Sequence, residues 1–560
     1  MKQIIILISV FALTIGAFAQ VDRTKAPLAG PAREIKIGDY QTFTLKNGLQ
    51  VFVVENHKLP RVQLTLELKN DQINEGSKAG YTQLAGDLLG TGTKTKTKAQ
   101  LDEEVDYIGA TLNTRSNGIF ASSLSRHTTK LLDLLTDVLY NPAFSQEELD
   151  KLKTQTLSGI AAEKEDPNSI ASNVRSVLVY GKNHPYGEIP TEKSIESITL
   201  EDCKTYFNTW FKPNNAYLVM VGDIDLKTAK TVSEKYFAKW VSGEVKNPVH
   251  AQPQAPAKTF VALVDRASSV QSVINVSHPV DLKPGTTDAI QARVTNQILG
   301  VDFSSRLNQN LREKHGYTYG SGSQLTPDKL VGYFNASASV RNEVTDSSTY
   351  ELLSELKRIS SEPVTDAELT AAKAFISGAF GRSLENPQTI ATFALNTAKY
   401  NLPKDYYPNY LKNIDAVNKD NVLATAKRFI RPGNAYILVV GKGADVADKL
   451  KQFGEVKYYD INGDSYVPSK AAALPAGLTA EKVITTYIDA IGGAKKIGEV
   501  KSAKSTMKAT IQGMELTLTS SKKSPGKSLT EVSMGGNVMQ KSVTDGKEVG
   551  QSQMGQATPT

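Results

Sequence analysis

Hydrophobic residues along the chain follow two spacings, which predict strands and helices in alternation. The stretch QVFVVEN is rich in β-branched residues and is typical of a strand. In TKLLDLLTDVLYNP and SQEELDKLKTQTLSGIAAEKEDP the apolar residues recur at helical spacing. We expect Pro142 and Pro167 to mark the ends of these two helices. The mixture of both element types predicts an α+β fold.

The pattern occurs twice along the chain. WFKPNNAYLVMVGDID, residues 210–225, returns as RFIRPGNAYILVVGKGAD, residues 428–445, with its identical residues 219 positions apart. A nearly constant offset indicates two copies of one sandwich-like domain of about 220 residues. We place the copies at residues 35–246 and 259–464, and the proline-rich stretch 247–258 between them is expected to be a linker.

The character of the chain changes after about residue 464. TAEKVITTYIDAIGGAKKI has the pattern of one helix, and the residues after it are rich in Ser, Thr, Lys and Gly and alternate as strands do. Five of the seven methionines follow residue 500, which supports a separate origin for this part. We therefore predict a third, β-rich domain over residues 475–560, and the absence of an obvious closing element suggests that it is truncated at its end.

The amino terminus is typical of a secretory signal peptide. Lys2 precedes an apolar run that ends in Ala17-Phe18-Ala19, which predicts a signal peptide over residues 1–19. An uncleaved membrane anchor is the alternative. No other stretch approaches the ~18 apolar residues that a membrane span needs. We therefore expect an exported protein, in the bacterial periplasm or associated with the outer membrane, with no transmembrane span after cleavage.

The net charge bears on nucleic-acid binding, and the cysteine count bears on disulfide bonds. The net charge of +7 is small for 560 residues and does not favour nucleic-acid binding. Cys203 is the only cysteine, so no disulfide can form within the chain, and we expect this thiol to be a small buried side chain.

Several motifs resemble those of one peptidase family. LKNGLQVFVVENHKLPRVQLTLEL, GYTQLAGDLLGTGT, GKNHPYGEIPTEKSIESITLEDCKTYFNTWFKPNNAYLVMVGDID and LGVDFSSRLNQNLREKHGYTYGSGS occur in this order. Together they resemble the insulinase/pitrilysin family, the inverzincin metallopeptidases, which includes mitochondrial processing peptidase. The resemblance covers about residues 35–460.

The resemblance also shows what the chain has lost. The family's zinc helix reads G-x-x-H-x-x-E-H and then G-T, with two His ligands and a Glu as general base. Alignment on Gly80–Thr93 places Gln83 and Asp87 at the two His positions, Gly86 at the catalytic Glu, and Gly159 at the third ligand, also a Glu. No two of the six histidines lie within five residues, so no other such motif exists. We expect no metal or other cofactor in this chain, and zinc only in a partner subunit.

The second copy keeps another family motif, LREKHGYTY. The resemblance implies that Arg312 and Tyr319 reach towards a zinc-bearing domain and hold the substrate carbonyl as it becomes an oxyanion. The alternative is a surface ion-pair residue and a strand aromatic. The GSGS that follows is either a strand edge that pairs with extended peptide or a flexible turn. His184 is expected to be a structural loop residue.

These observations predict a zinc-less pseudopeptidase subunit. It would pair with a homologous zinc-bearing chain and contribute to binding and cleaving unfolded peptides. A different class remains open: a non-enzymatic peptide-binding or envelope scaffold protein, whose tail distantly resembles lipoprotein-sorting proteins. An active hydrolase that uses other residues is disfavoured, since no Ser/His/Asp arrangement has a recognisable local motif.

Overall fold

The computed structural model describes residues 38–468, 478–511 and 514–558. The predicted signal peptide, residues 1–19, lies outside them. The chain forms two compact units, of which the first ends at Val467 and the second begins at Pro468. No helix within the described ranges is long and apolar enough to cross a membrane.

The first half of the first unit contains a mixed six-stranded sheet in the order β1-β2-β6-β3-β5-β4. The strands are β1 Gln41–Thr44, β2 Gln50–Glu55, β3 Arg61–Leu68, β4 Thr111–Arg115, β5 Gly118–Leu124 and β6 Ala216–Gly222. The central strand β6 runs parallel to β2 and antiparallel to β3. All of its residues before Gly222 are buried, because side chains from both faces of the sheet lie in hydrophobic clusters.

The helices of this half, all but the fifth of them, complete the first core. They are α1 Tyr81–Leu89, α2 Lys98–Tyr107, α3 Thr128–Tyr140, α4 Gln146–Glu163, α5 Pro167–Tyr180, α6 Glu192–Ser197, α7 Leu200–Trp210 and α8 Leu226–Phe237. Helix α3 ends just before Pro142, as predicted. The second proline behaves differently: α4 ends at Glu163, and Pro167 is the first residue of α5. Cys203 is fully buried, and this burial raises the pKa of its thiol to about 11.

The second half repeats this plan with a seven-stranded sheet in the order β13-β12-β7-β11-β8-β10-β9. Its strands are β7 Phe260–Asp265, β8 Gln271–Val280, β9 Ser321–Thr326, β10 Gly332–Arg341, β11 Tyr436–Gly441, β12 Val456–Tyr459 and β13 Ser465–Tyr466. Its helices are α9 Thr287–Gly300, a π-helix Asn308–Lys314, α10 Thr345–Ser361, α11 Asp366–Ser383, α12 Pro387–Lys399, α13 Tyr410–Ala416, α14 Lys419–Phe429 and α15 Gly443–Leu450.

Each half contributes one helix that packs on the sheet of the other half. Helix α5 of the first half packs Ile170, Ala171 and Val174 against the second sheet, and α12 of the second half packs on strands β2 and β6 of the first. Both helices start in the same way, with Asp166 or Asn386 as N-cap and proline in the first helical position. Each buried Ile or Leu in these contacts stabilises the unit by about 1.5–3 kcal/mol. The exchange therefore ties the halves into one body.

The second unit is rich in β-structure, as predicted. Six antiparallel strands follow one another as neighbours: β14 Ser502–Ile511, β15 Met514–Lys523, β16 Lys527–Met534, β17 Asn537–Thr544, β18 Val549–Gln553 and β19 Gln556–Thr558. The predicted single helix is two, α16 Ala480–Ala490 and α17 Gly493–Glu499. Gly492 and Gly493 separate them, with φ of 119° and 82°, which a continuous helix cannot accommodate. With both sheets and helices in each unit, the predicted α+β class is confirmed.

Candidate functional site

Helix α1, which aligns with the family's zinc helix, is held at both its start and its buried face. The Glu75 carboxylate accepts hydrogen bonds from the Gly80 backbone at 2.7 Å and from the Thr82 hydroxyl at 2.7 Å. Burial raises the pKa of Glu75, and the hydrogen bonds from Thr82 oppose this rise. Leu84, Leu88 and their apolar neighbours on the helix lie in the first core. The helix is thus fixed in place although its ligands are gone.

Gly86 has no space for a side chain. A Cβ atom built on it would lie 2.1 Å from the backbone nitrogen of Ser116 and 2.3 Å from the carbonyl carbon of Arg115. These residues form the turn between β4 and β5, and the Tyr206 hydroxyl donates to the Ser116 carbonyl at 2.9 Å. Backbone therefore occupies the space into which a carboxylate at position 86 would project.

Gln83 and Asp87 lie one helical turn apart on α1. Gln83 is exposed and Asp87 is half-buried, and this burial raises the pKa of Asp87. Gly159 lies on α4, faces solvent, and has open space where a Cβ atom would be. In the part of the chain that the structure describes, no group of three or more His, Cys, Asp or Glu side chains is placed to hold a metal ion. The residues at these four positions do not fit a zinc ion, which needs three protein ligands at a catalytic site.

Arg312 and Tyr319 lie on the surface of the second half. Arg312 belongs to the π-helix, with its guanidinium 4.9 Å above the centre of the Phe303 ring and 3.4 Å from the Glu313 carboxylate. Tyr319 is 94% exposed and precedes strand β9, so it is not a strand residue. Neither side chain is hydrogen-bonded to another described residue, and the role of both in substrate binding stays a prediction.

The GSGS stretch is ordered rather than a flexible turn. It forms the start of β9, the edge strand of the second sheet. The edge is partly covered by side-chain amides: Asn296 donates to the Ser323 carbonyl at 3.0 Å, and the Ser321 backbone donates to Asn308 at 3.1 Å. These contacts occupy backbone groups that an added peptide strand would otherwise use.

His184 has a structural environment, as predicted. It is buried, and its Nδ1 accepts a hydrogen bond from the Tyr186 backbone at 3.1 Å. Burial lowers the pKa of this imidazole. The Tyr186 hydroxyl in turn donates to Asp328 of the second half at 3.0 Å. The loop thus helps to join the halves.

A large cavity in the second half was not foreseen from the sequence. It has a volume of about 890 Å³ and lies between α9, the edge strand β9 and a tyrosine-rich segment. The charged side chains on its wall are Arg175, which reaches across from α5, and Arg293 of α9. The sequence does contain a feature that could have indicated this cavity. Residues 400–410 include four tyrosines, and all of them line the cavity.

Comparison with known families accounts for most of the first unit. Residues 51–186 match the model described as Insulinase (Peptidase family M16), and residues 197–376 match the Peptidase M16 inactive domain. The two matched stretches together cover more than half of the chain. The chain belongs to the insulinase family of peptidases, M16.

Some M16 proteins with similar sequences are named as proteases, and others are named as inactive homologues. An uncharacterized zinc protease of Rickettsia bellii is 25% identical over 60% of this chain and 81% of its own. A non-peptidase homolog of Helicobacter pylori is 23% identical over 66% of this chain and 86% of its own. The crystal structure of a peptidase M16 inactive domain from Pseudomonas fluorescens is 25% identical, covers 72% of this chain and 98% of its own, and superposes with a TM-score of 0.66. Taken with the changed positions in α1 and α4, the inactive relatives support a pseudopeptidase.

Proposed function

We propose that the chain is the zinc-less subunit of an exported M16 peptidase and pairs with a homologous zinc-bearing chain. Zinc would be held by the partner alone, and unfolded peptides would be bound between the two chains and cleaved at the partner's metal. Export to the periplasm or the outer membrane is part of this proposal and is supported by the signal-like pattern of residues 1–19.

The observation that carries the proposal is the contact between Gly86 and the backbone of Ser116. A general base at position 86 would have to displace the β4–β5 turn, so the chain's own first half is unsuited to activating a water molecule. The chemistry would then come from another subunit, as the family resemblance suggests.

Arg312 and Tyr319 would supply hydrogen-bond donors for the substrate carbonyl at the partner's zinc. A guanidinium and a phenol are both hydrogen-bond donors, and donors aimed at a developing oxyanion lower the barrier to peptide hydrolysis. Both side chains are accessible, with Tyr319 almost fully exposed. Packing of Arg312 on Phe303 limits its conformational freedom and so supports a preorganised role.

A second candidate is a non-enzymatic peptide-binding or envelope scaffold protein. It is favoured by the second unit, whose strands keep apolar side chains such as Met507 and Val543 largely exposed. In this alternative Arg312 and Tyr319 would have no part in turnover.

The test is to assay the full chain, its zinc-bearing homologue and their mixture for bound zinc and for hydrolysis of a quenched fluorescent peptide. We expect hydrolysis from the mixture and none from this chain alone. Arg312→Ala or Tyr319→Phe in this chain should lower the turnover number of the mixture by about 10²–10³-fold, the usual cost of one oxyanion donor. Arg341→Ala, a surface arginine at the end of β10, is the matched control.

Zinc-dependent hydrolysis by the lone chain would refute the proposal. Full activity of a mixture that contains the Arg312 and Tyr319 variants, with assembly intact, would instead support the scaffold alternative.

A further inference from the structure

The charged side chains on the wall of the large cavity are all positive. Among the residues that the structure describes, two arginines line it and no aspartate, glutamate or lysine does. Within the described residues, neither Arg175 nor Arg293 forms an ion pair with a carboxylate. Arg175 lies over the Tyr333 ring with its guanidinium carbon 5.5 Å from the ring centre, and its one hydrogen bond is a long one of 3.4 Å to Ser172. The half-buried Arg175 and the exposed Arg293 therefore offer two guanidinium groups to an anion in this partly enclosed space.

Two side-chain amides on the cavity wall belong to mostly buried residues and have no hydrogen-bond partner among the described residues. Asn275 on β8 is 6% exposed and Asn335 on β10 is 4% exposed, and neither side chain makes a hydrogen bond to a described residue. The Oδ1 atom of Asn335 is inaccessible and has no partner, so this side chain can reach a bound molecule only through its Nδ2 group. The strands pair with Asn275 opposite Ser337 and Asn335 opposite Ser277, so both amides lie on the same face of the sheet. The other polar atoms of the two amides also lack a partner among the described residues, and a bound molecule in the cavity could supply one.

The chemistry of these amides matches a peptide main chain. A carboxamide offers two N–H donors and one carbonyl acceptor, the same groups that a peptide bond presents in complementary form. Two such amides on neighbouring strands can bind main-chain groups of an extended segment without reading its side chains. A small inorganic anion would use the donors but leave the Asn275 side-chain carbonyl without a partner.

Another part of the wall is aromatic, and its rings are stacked on neighbouring rings. Tyr407 stacks on Phe393 with 3.8 Å between ring centres, and Tyr410 stacks on Phe380 at 4.8 Å. Burial raises the pKa of Tyr406 to about 12, so its hydroxyl stays protonated at neutral pH. Such a wall offers apolar surface and hydrogen-bonding hydroxyl groups together, and it loses little entropy when a ligand binds.

We propose that this cavity binds a peptide segment that carries a carboxylate, with Asn275 and Asn335 on its main chain and Arg175 and Arg293 on its acidic group. The peptide occupant rests on the proposed function, and the preference for acidic peptides goes beyond it. The cavity volume lies in the ~300–1,000 Å³ range of ligand pockets, which suits a few residues rather than a folded protein.

The test measures binding to the isolated full chain by fluorescence anisotropy. The probe is a short fluorescein-labelled peptide with two glutamates, and its counterpart has glutamine at both positions. Because a hydrogen bond to a charged group contributes about tenfold or more to affinity, we expect the glutamate peptide to bind at least about tenfold more tightly. The double variant Arg175→Gln/Arg293→Gln should bind both peptides equally.

Two further variants separate charge from fold and from main-chain binding. Arg341→Gln removes the same charge from a residue outside the cavity wall and should leave the preference intact. Asn335→Leu should weaken the binding of both peptides alike. Thermal unfolding of each variant checks that it is folded.

Equal affinity of the unmodified chain for the two peptides, no binding of either, or a preference that persists in the double variant would overturn the inference. The assay contains no zinc-bearing partner, so its failure leaves the proposed pairing untouched. Conversely, if the mixture shows no hydrolysis while the acidic peptide still binds, only the proposed pairing has failed.

Discussion

The two halves of the first unit share one fold, but they differ in the space that they leave for a ligand. In the first half, the turn at Ser116 lies directly against α1 at Gly86, and backbone fills the space of the general base. In the second half, Tyr319 is exposed and a cavity of about 890 Å³ lies at the sheet edge. The first half has no room for a side chain at position 86, whereas the second half has an open cavity. The first half therefore lacks both the family's catalytic side chains and the space for one of them.

The largest expected effect comes from reopening the closed half. Gly86→Glu restores the family's residue, but its Cβ alone would meet the Ser116 backbone at 2.1 Å. We expect the free energy of unfolding to fall by more than about 3 kcal/mol, since overpacking against backbone cannot be relieved by a rotamer change. Urea denaturation followed by circular dichroism measures this loss.

Gly159→Glu is the matched control for that variant. It restores another of the family's glutamates at a helical glycine, but nothing lies within 4 Å of its Cβ. We expect its free energy of unfolding to stay within about 1 kcal/mol of the unmodified chain. If the two variants were equally stable, the closure of the first half would not be a packing effect.

The second prediction compares equivalent carboxylates of the two copies. Glu368 lies 220 positions after Glu148 and accepts two hydrogen bonds, at 2.7 and 3.1 Å, from Arg306, which is only 7% exposed. Glu148 instead pairs with the surface residue Lys151. Glu368→Gln should lower the free energy of unfolding by about 2–3 kcal/mol because it leaves a buried guanidinium without its counter-charge.

Glu148→Gln should lower the free energy of unfolding by less than about 1 kcal/mol, as expected for a surface ion pair. Both substitutions remove one negative charge near the start of a long helix, but only Glu368 also forms a capping box with Thr365, so the comparison measures the buried pair and the cap together. Equal losses in urea denaturation would show that the buried pair of the second half contributes nothing special.

Acid should weaken the same pair. Burial alone would raise the pKa of Glu368, but the hydrogen bonds from Arg306 and from the Thr365 backbone lower it to about 2. A carboxyl with a lowered folded-state pKa contributes stability above its unfolded value, and that stability is lost as pH falls towards the folded value. Between about pH 5 and pH 2 the chain should lose up to about 2 kcal/mol through this group.

The measurement is the difference in the free energy of unfolding between the unmodified chain and Glu368→Gln across this pH range. The difference should shrink as the solution is acidified. A difference that stays constant down to about pH 3 would contradict the assignment of the lowered pKa to this ion pair.

Sequence patterns were sufficient for the elements and for the missing ligands. The strand at QVFVVEN, the end of α3 before Pro142 and the internal repeat follow from local spacing. The absence of paired histidines is likewise a local fact. Pro167 shows the limit of such reasoning, because a proline after Asp is equally suited to follow one helix or to open the next.

What could not be foreseen depends on contacts between distant parts of the chain. Gly86 meets a turn thirty residues later, and nothing in either stretch indicates how close they lie. The exchange of α5 and α12 between halves requires knowledge of both sheets. The cavity brings Arg175 together with strands β8 to β10, although the tyrosines of residues 400–410 were visible as a cluster.

The smallest expected effect tests whether the open position in α4 is truly free. Gly159→Ala adds one methyl group where the structure has open space, in the middle of a helix. Alanine is a better helix former than glycine by about 0.5–1 kcal/mol, so we expect the free energy of unfolding to rise by that amount. Gly86→Ala adds the same methyl group with the same gain in helix propensity, yet it should destabilise the chain because the clash with Ser116 outweighs that gain. The opposite signs of these two changes, measured by urea denaturation, separate a position that has merely lost its side chain from one over which the fold has closed.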